Sequence, residues 1–139
     1  MNGPFETARD LVLGLAERSR SMWKLNEQYS YRPEFFEKLA DALGEARATF
    51  SHTDLQRKNV IVWKTTRDGE GEGEGEKDFE LCLVDWEDAG WYPEYWEYAT
   101  AFMGFRWAGD DWPRAVESIL DVYAAEATML NMIKEDLWM

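Results

Sequence analysis

The residues able to do chemistry lie in two short runs. The first is Ser51-His52-Thr53-Asp54-Leu55-Gln56-Arg57-Lys58-Asn59, and the second is Leu83-Val84-Asp85-Trp86-Glu87. Together they read H-x-D-L-x-x-x-N and, one hairpin's length later, an apolar strand ending in aspartate. Carboxylate, amide and carboxylate in that order suit phosphoryl transfer. There a protein does little covalent work: it places a base beside an acceptor hydroxyl and holds metal ions against a polyphosphate. Asp54 is the candidate base, able to accept the hydroxyl's hydrogen bond and take its proton late in the reaction. Asn59, at the start of a strand, offers a hard amide oxygen to Mg²⁺, and Asp85, carried back by the paired strand, offers a carboxylate to the same ion or a second one. His52, two residues before Asp54 in the catalytic loop, is cast as a scaffold residue that bonds backbone carbonyls rather than as a proton carrier. Singly, each has a plainer explanation as a structural histidine or a turn aspartate. The composite pattern is what points to the chemistry.

The elements that must position these residues can be read from periodicity. Ala8, Leu11, Val12, Leu15 and Ala16 recur at the spacing of an amphipathic helix over Thr7 to Arg20, with Thr7 as N-cap. A second helix opens at Pro33, carries Phe35, Phe36, Leu39, Ala40 and Leu43 on one stripe, and stops near Gly44. Asn59 to Trp63 and Phe79 to Asp85 are short and rich in β-branched or aromatic residues, which predicts a two-stranded antiparallel hairpin. Between them, Thr65 to Asp78 contains Gly69, Gly71, Gly73 and Gly75 alternating with Glu70, Glu72, Glu74 and Glu76. Such a run cannot bury apolar area and is expected to form a disordered hairpin tip. An acid at every second position would also repel phosphate, so this glycine-rich run is no phosphate cradle. Glu94 to Phe105 and Trp112 to Ile133 predict two more helices, parted by Gly109-Asp110-Asp111, with a stripe of Ala115, Ile119, Val122, Tyr123, Ala127 and Leu130 on the last. The expectation is one mainly helical α+β domain over residues 1–139.

Composition narrows the possibilities. The net charge of −13 disfavours nucleic acid and anionic membranes as partners and leaves room for a cationic or metal-bridged small-molecule ligand. Asp68 to Asp78 holds six acids and one lysine, so about −8 belongs to the rest of the chain. A lone cysteine, Cys82 in an apolar run, suggests a reducing compartment and a place in the core. No apolar run reaches the roughly 18 residues of a membrane span, and Met1-Asn2-Gly3-Pro4 opens no signal peptide, which together predict a cytoplasmic location. Eight tryptophans, six tyrosines and seven phenylalanines are many for 139 residues, and they crowd around Trp86 to Trp112. Most should build core, while Trp86, Trp91, Tyr92 and Trp96, beside the acidic motif, are candidate ligand-binding residues together with Glu87.

With these motifs in hand, the chain resembles the aminoglycoside phosphotransferase and choline kinase superfamily, and within it the fungal aminoglycoside phosphotransferase-like branch. Ser51 to Val62 is similar to the S-H-x-D-L-Q-R-K-N-I-x-V run of that branch. Val84-Asp85-Trp86-Glu87-Asp88-Ala89-Gly90-Trp91-Tyr92-Pro93-Glu94-Tyr95-Trp96-Glu97-Tyr98 is similar to its I-D-W-E-x-A-G-W-Y-P-x-Y-W-E-Y run, and Asn2-Gly3-Pro4-Phe5 to its G-P-F segment. The resemblance implies a kinase-like C-terminal lobe with the catalytic loop and hairpin at one end. It also implies Asp54 as base, Asn59 and Asp85 as Mg²⁺ ligands, ATP as co-substrate, and helices after Pro93 as the acceptor-site wall. The family's N-terminal lobe, with its phosphate-covering loop, nucleotide lysine and adenine hinge, has no counterpart before His52, and none of the six lysines lies in a V-A-I-K-like strand.

Three functions follow as alternatives. In the first, the chain transfers phosphate from ATP to a small-molecule hydroxyl, with a partner chain or a homo-oligomer covering the surface of the missing lobe. In the second, it is a repurposed enzyme of secondary metabolism in which Asp54, Asp85, Glu87 or His52 performs acid–base work in a cyclisation, isomerisation or elimination, since clustered carboxylates raise one another's pKa. In the third, it is a non-catalytic, truncated binding module that keeps the motif for its shape.

Overall fold

The computed structural model describes residues 5–66, 77–103, 109 and 111–137. Among them are five helices and two small antiparallel sheets, a mainly helical α+β fold. Helix α1 spans Ala8–Leu25 and α2 Arg32–Leu43; then come β1, Ala48–Ser51, a 3₁₀ turn over Arg57–Asn59, β2, Val60–Thr66, β3, Lys77–Leu83, and β4, Gly90–Pro93. Helices α3, Trp96–Met103, α4, Trp112–Ile119, and α5, Ala124–Leu137, complete the described chain.

Helix α1 begins where its sequence says. The Thr7 hydroxyl accepts from the Asp10 N–H at 3.1 Å, and the Asp10 carboxylate accepts from the Thr7 N–H at 3.1 Å, a reciprocal box that satisfies two otherwise unbonded amides. It runs five residues beyond the predicted Arg20, because Met22 and Trp23 continue the inward stripe, and it is followed by Glu27 in the left-handed region at φ 54°. Helix α2 packs along α1. Gly44, just past its end, allows the close approach: a Cβ there would meet the Ala40 carbonyl at 2.4 Å and Arg9 Cβ at 2.9 Å.

The core is helical. Val12 and Leu15 of α1, Phe36 and Ala40 of α2, Tyr98 of α3, Val116 of α4 and Leu130 and Ile133 of α5 are all essentially inaccessible. Each such aliphatic side chain stabilises the fold by roughly 1.5–3 kcal/mol relative to exposure. A polar latch crosses the same core. Asp136, its side chain fully buried, accepts hydrogen bonds from Ser19 and, at 3.3 Å, from the Trp23 indole, and pairs with Arg32 at 2.6 Å, so α5 is tied to both α1 and α2.

Four expectations are corrected here. The helix predicted from Trp112 to Ile133 is two: α4 stops at Ile119, Leu120 is extended, and α5 begins at Ala124. The predicted stripe bridged this break; Ile119 and Val122 are exposed, while Trp112 and Val116, one turn apart, face inward. The helix predicted from Glu94 starts at Trp96, because the Glu94 N–H bonds the Arg47 carbonyl at 3.0 Å and prolongs a strand ladder instead. Cys82 is half-buried on the hairpin rather than in the core.

The fourth concerns the hairpin. It forms in the expected antiparallel sense, with Val60 opposite Leu83, but pairing continues through Thr65–Asp78 to Thr66–Lys77, inside the stretch expected to be a disordered tip. β3 also ends at Leu83, so Asp85 lies beyond the strand. Residues 67–76 of that tip, the Asn2-Gly3-Pro4 segment and residues 104–108 lie outside the described residues. The second sheet, β1 with β4, was not anticipated. Its register sets Ala48 against Pro93 and Ser51 against Gly90, fastening the start of the first motif to the end of the second.

Candidate functional site

The loop after β1 is shaped by contacts from three directions. Its turn requires Thr53 at φ 72°, a conformation costly for a β-branched residue. Glu97, in the first turn of α3, holds it there: its carboxylate accepts from the backbone N–H of His52 and, at 3.2 Å, from that of Thr53. The Thr53 hydroxyl donates to the Asp88 carbonyl at 3.3 Å, joining the loop to the second motif. His52, only 4% exposed, takes the expected scaffold part. Its Nδ1 accepts from the Asp54 N–H at 3.3 Å, which places the ring proton on Nε2, 2.9 Å from the Val84 carbonyl. With both ring nitrogens engaged, the imidazole links the two motifs.

Asp54, half-buried, sits at the centre. Its Oδ2 accepts from Asn59 Nδ2 at 2.9 Å and pairs with Lys58 Nζ at 3.0 Å, while Oδ1 accepts from Gln56 Nε2. Burial pushes its carboxyl up, but the hydrogen bonds from Lys58, Asn59 and Gln56 outweigh that and hold it below the ordinary carboxylate value. The raised pKa expected from clustered carboxylates is therefore not found at Asp54: cationic and amide donors surround it. Lys134 of α5, its pKa lowered by burial, is also within electrostatic range of Asp54.

Asn59 is buried, and its Nδ2 also donates to the Asp54 carbonyl at 2.8 Å. Both amide protons are thus turned to Asp54, and Oδ1 remains for a cation. The Val84 N–H bonds the Asn59 carbonyl at 2.9 Å, which carries the next residue, Asp85, to the same end of the hairpin. Asp85 is exposed and left-handed at φ 69°, and its carboxylate makes no hydrogen bond or ion pair among the described residues. These donors fit Mg²⁺: it prefers oxygen, and commonly takes one or two protein ligands, with water and substrate phosphates filling its octahedron. Among the described residues no group of three or more His, Cys, Asp or Glu side chains is arranged for a metal, so Asn59 and Asp85 would have to suffice.

The candidate aromatic residues divide. Trp86 is half-exposed; its indole N–H donates to the Leu83 carbonyl at 2.7 Å, and its ring lies edge-on to His52 at 4.7 Å and stacked over Phe50 at 6.3 Å. Trp91, 74% exposed, meets Phe50 edge-on at 5.8 Å, so Phe50, Trp86 and Trp91 form an open aromatic surface beside the exposed Glu87. Trp96 is buried in the core and stacked on Tyr92 at 5.0 Å, and the Tyr92 hydroxyl donates to the Asp88 carbonyl at 3.3 Å. Those two support the site from behind.

Glu97, Lys58, Gln56 and Phe50 contact the candidate site, and motif reading did not single them out. Glu97 stood in the quoted second run, and an acid in the first turn of an otherwise apolar helix was its visible signal. A cavity of about 430 Å³ opens elsewhere, at the α1–α2 elbow against Trp23, Glu27, Tyr29 and Glu34, none of them a motif residue. Comparison with known proteins returned no match: no family model, no curated protein and no solved structure is significantly similar to the chain.

Proposed function

We propose that the chain carries the acceptor-activating and metal-holding half of a phosphotransferase that moves the terminal phosphoryl group of ATP to a small-molecule hydroxyl. The observation that carries this reading is Asn59. Its amide fixes the Asp54 carboxylate with Nδ2 while leaving Oδ1 for a cation, so base and metal ligand are set by one side chain. In this reaction the acceptor hydroxyl donates to Asp54. As its oxygen bonds to the γ-phosphorus, the bond from that phosphorus to the β,γ-bridging oxygen breaks, the proton passes to Asp54, and ADP leaves. Mg²⁺, held by Asn59 and Asp85, would neutralise charge on the β- and γ-oxygens. Trp86, Trp91 and Phe50 offer a flat apolar surface for nucleotide or acceptor, and a partner chain or second copy would cover the exposed hairpin face.

Asp54 also weighs against the acid–base alternative. A carboxyl held below its ordinary value is a poor general acid, though a usable base for a proton released late. The test is calorimetric titration with Mg-ADP, followed by ATP turnover over a panel of alcohols and amino alcohols. Nucleotide binding that requires the divalent ion and is lost in Asp85→Asn is the expected result; no nucleotide binding with or without Mg²⁺ refutes the reading.

A further inference from the structure

We propose that Lys58 is a mobile counter-cation, which neutralises the acid cluster in one position and the polyphosphate of a bound nucleotide in another. The inference rests on the phosphotransferase reading and assigns a group to a task nothing above yet performs. Triphosphate oxygens need cationic partners from the protein as well as from the metal. Arg57, the neighbouring cation, is turned to α4, where it pairs with Asp111 and lies 5.4 Å over the Trp112 ring.

Lys58 has the required geometry. Its ammonium is 3.0 Å from Asp54 Oδ2 and also feels the charges of Asp85 and Glu87, so it stands among the carboxylates that would meet a metal-bound polyphosphate. Its side chain is 60% exposed, and an ion pair so open to water is weak, which makes exchange of partners easy. The backbone beneath it is fixed: Asn59 N–H bonds the Gln56 carbonyl at 2.9 Å, and the Asn59 side chain is buried. A flexible four-carbon stem on a rigid turn is a swivel. The movement also serves the base: Asn59 and Lys58 together fill Oδ2 of Asp54, while Oδ1 accepts from Gln56 alone. Departure of Lys58 toward phosphate when nucleotide is in place opens Oδ2 to the acceptor hydroxyl as well, which couples base availability to nucleotide binding.

The experiment compares the unmodified chain with Lys58→Met and Lys58→Gln, each checked for native circular dichroism. Three probes are titrated: Mn²⁺ alone by water-proton relaxation, and the Mg complex of a non-hydrolysable ATP analogue and adenosine by calorimetry. Removing a competing cation should tighten Mn²⁺ binding, and removing a phosphate partner should weaken binding of the analogue, each by about tenfold, with adenosine unaffected. Opposite signs for the two probes are the signature, since loss of a merely structural ion pair moves neither upward. Unchanged or weaker Mn²⁺ binding in both variants, or unchanged analogue binding, overturns the role of Lys58. Failure of the unmodified chain to bind Mn²⁺ or the analogue at all defeats the phosphotransferase reading first and the swivel with it.

Discussion

Two residues beside the candidate site hold backbone angles that their side chains disfavour. Thr53 at φ 72° and Asp85 at φ 69° each cost roughly 1–3 kcal/mol, and both conformations aim a carboxylate: Asp54, one residue after Thr53, and Asp85 itself. Spending stability there is understandable if the carboxylates act. Asp54→Asn keeps the shape and the contact with Asn59 but loses the base, so turnover of ATP with an acceptor alcohol should fall by about 10²–10⁴ while nucleotide affinity stays within a few-fold. The pH dependence follows from Asp54 being held below its ordinary value of 3.8. The ionised form is the active one and persists at lower pH than for a free carboxyl, so the acid limb of kcat/KM, which reports the free protein, should lie below about pH 4. A limb centred near pH 6 would mean that another group is the base.

At the scale of elements, α3 does more for the loop than the loop does for itself. Glu97 accepts from two adjacent loop amides, so Glu97→Gln, with only one acceptor oxygen and no charge, should lower unfolding stability by about 1–3 kcal/mol in urea titration and loosen Thr53. The latch at Asp136 gives a pH-dependent counterpart. Burial pushes that carboxyl up, but hydrogen bonds from Arg32, Ser19 and Trp23 leave it below 3.8. Because its native value is the lower one, its contribution is present in full above about pH 4 and is lost as pH falls through the native value. Asp136→Asn should therefore cost about 1–3 kcal/mol at pH 7 and progressively less below pH 4, measured by urea unfolding at both ends. The helices α1 and α2, and the hairpin, were legible because each carries a period and a boundary signal of its own: Thr7 at the start of α1, Pro33 and Gly44 at the two ends of α2, and a glycine-rich run between the strands; the end of α1, which has no such signal, was not. The Ile119–Ala124 break was not, since Leu120 to Tyr123 includes neither glycine nor proline and tertiary packing ends the helix. The β1–β4 ladder joins Ala48 to Pro93 across the whole hairpin, a pairing no local pattern encodes. His52, Asp54 and Asn59 were legible as a set because their roles depend on short spacing. Glu97 and Lys58 act through distance and charge that spacing does not reveal.

For the molecule as a whole, the hairpin presents an uncovered apolar face. Val62 and Leu81 stand opposite each other, 55% and 72% exposed, with Phe79 on the same face at 62%. Solvent-exposed strands of this composition seek a cover, yet copies of a chain with charge −13 repel one another. Self-association should therefore strengthen with added salt, which screens the repulsion and leaves apolar contact intact. Light scattering should show the mean mass rising between low and moderate ionic strength, and Leu81→Lys should abolish the rise. A mass that falls with salt would place the contact elsewhere, on charged surface. The Thr66–Lys77 pair that closes the described hairpin has a consequence of another kind. Chain inserted beyond a closed pair changes the entropy of ring closure only logarithmically, by about 0.6 kcal/mol for each doubling of length. The acidic run is thus a place where residues can be gained, lost or replaced by a foreign peptide while Asp54, Asn59 and Asp85 keep their positions.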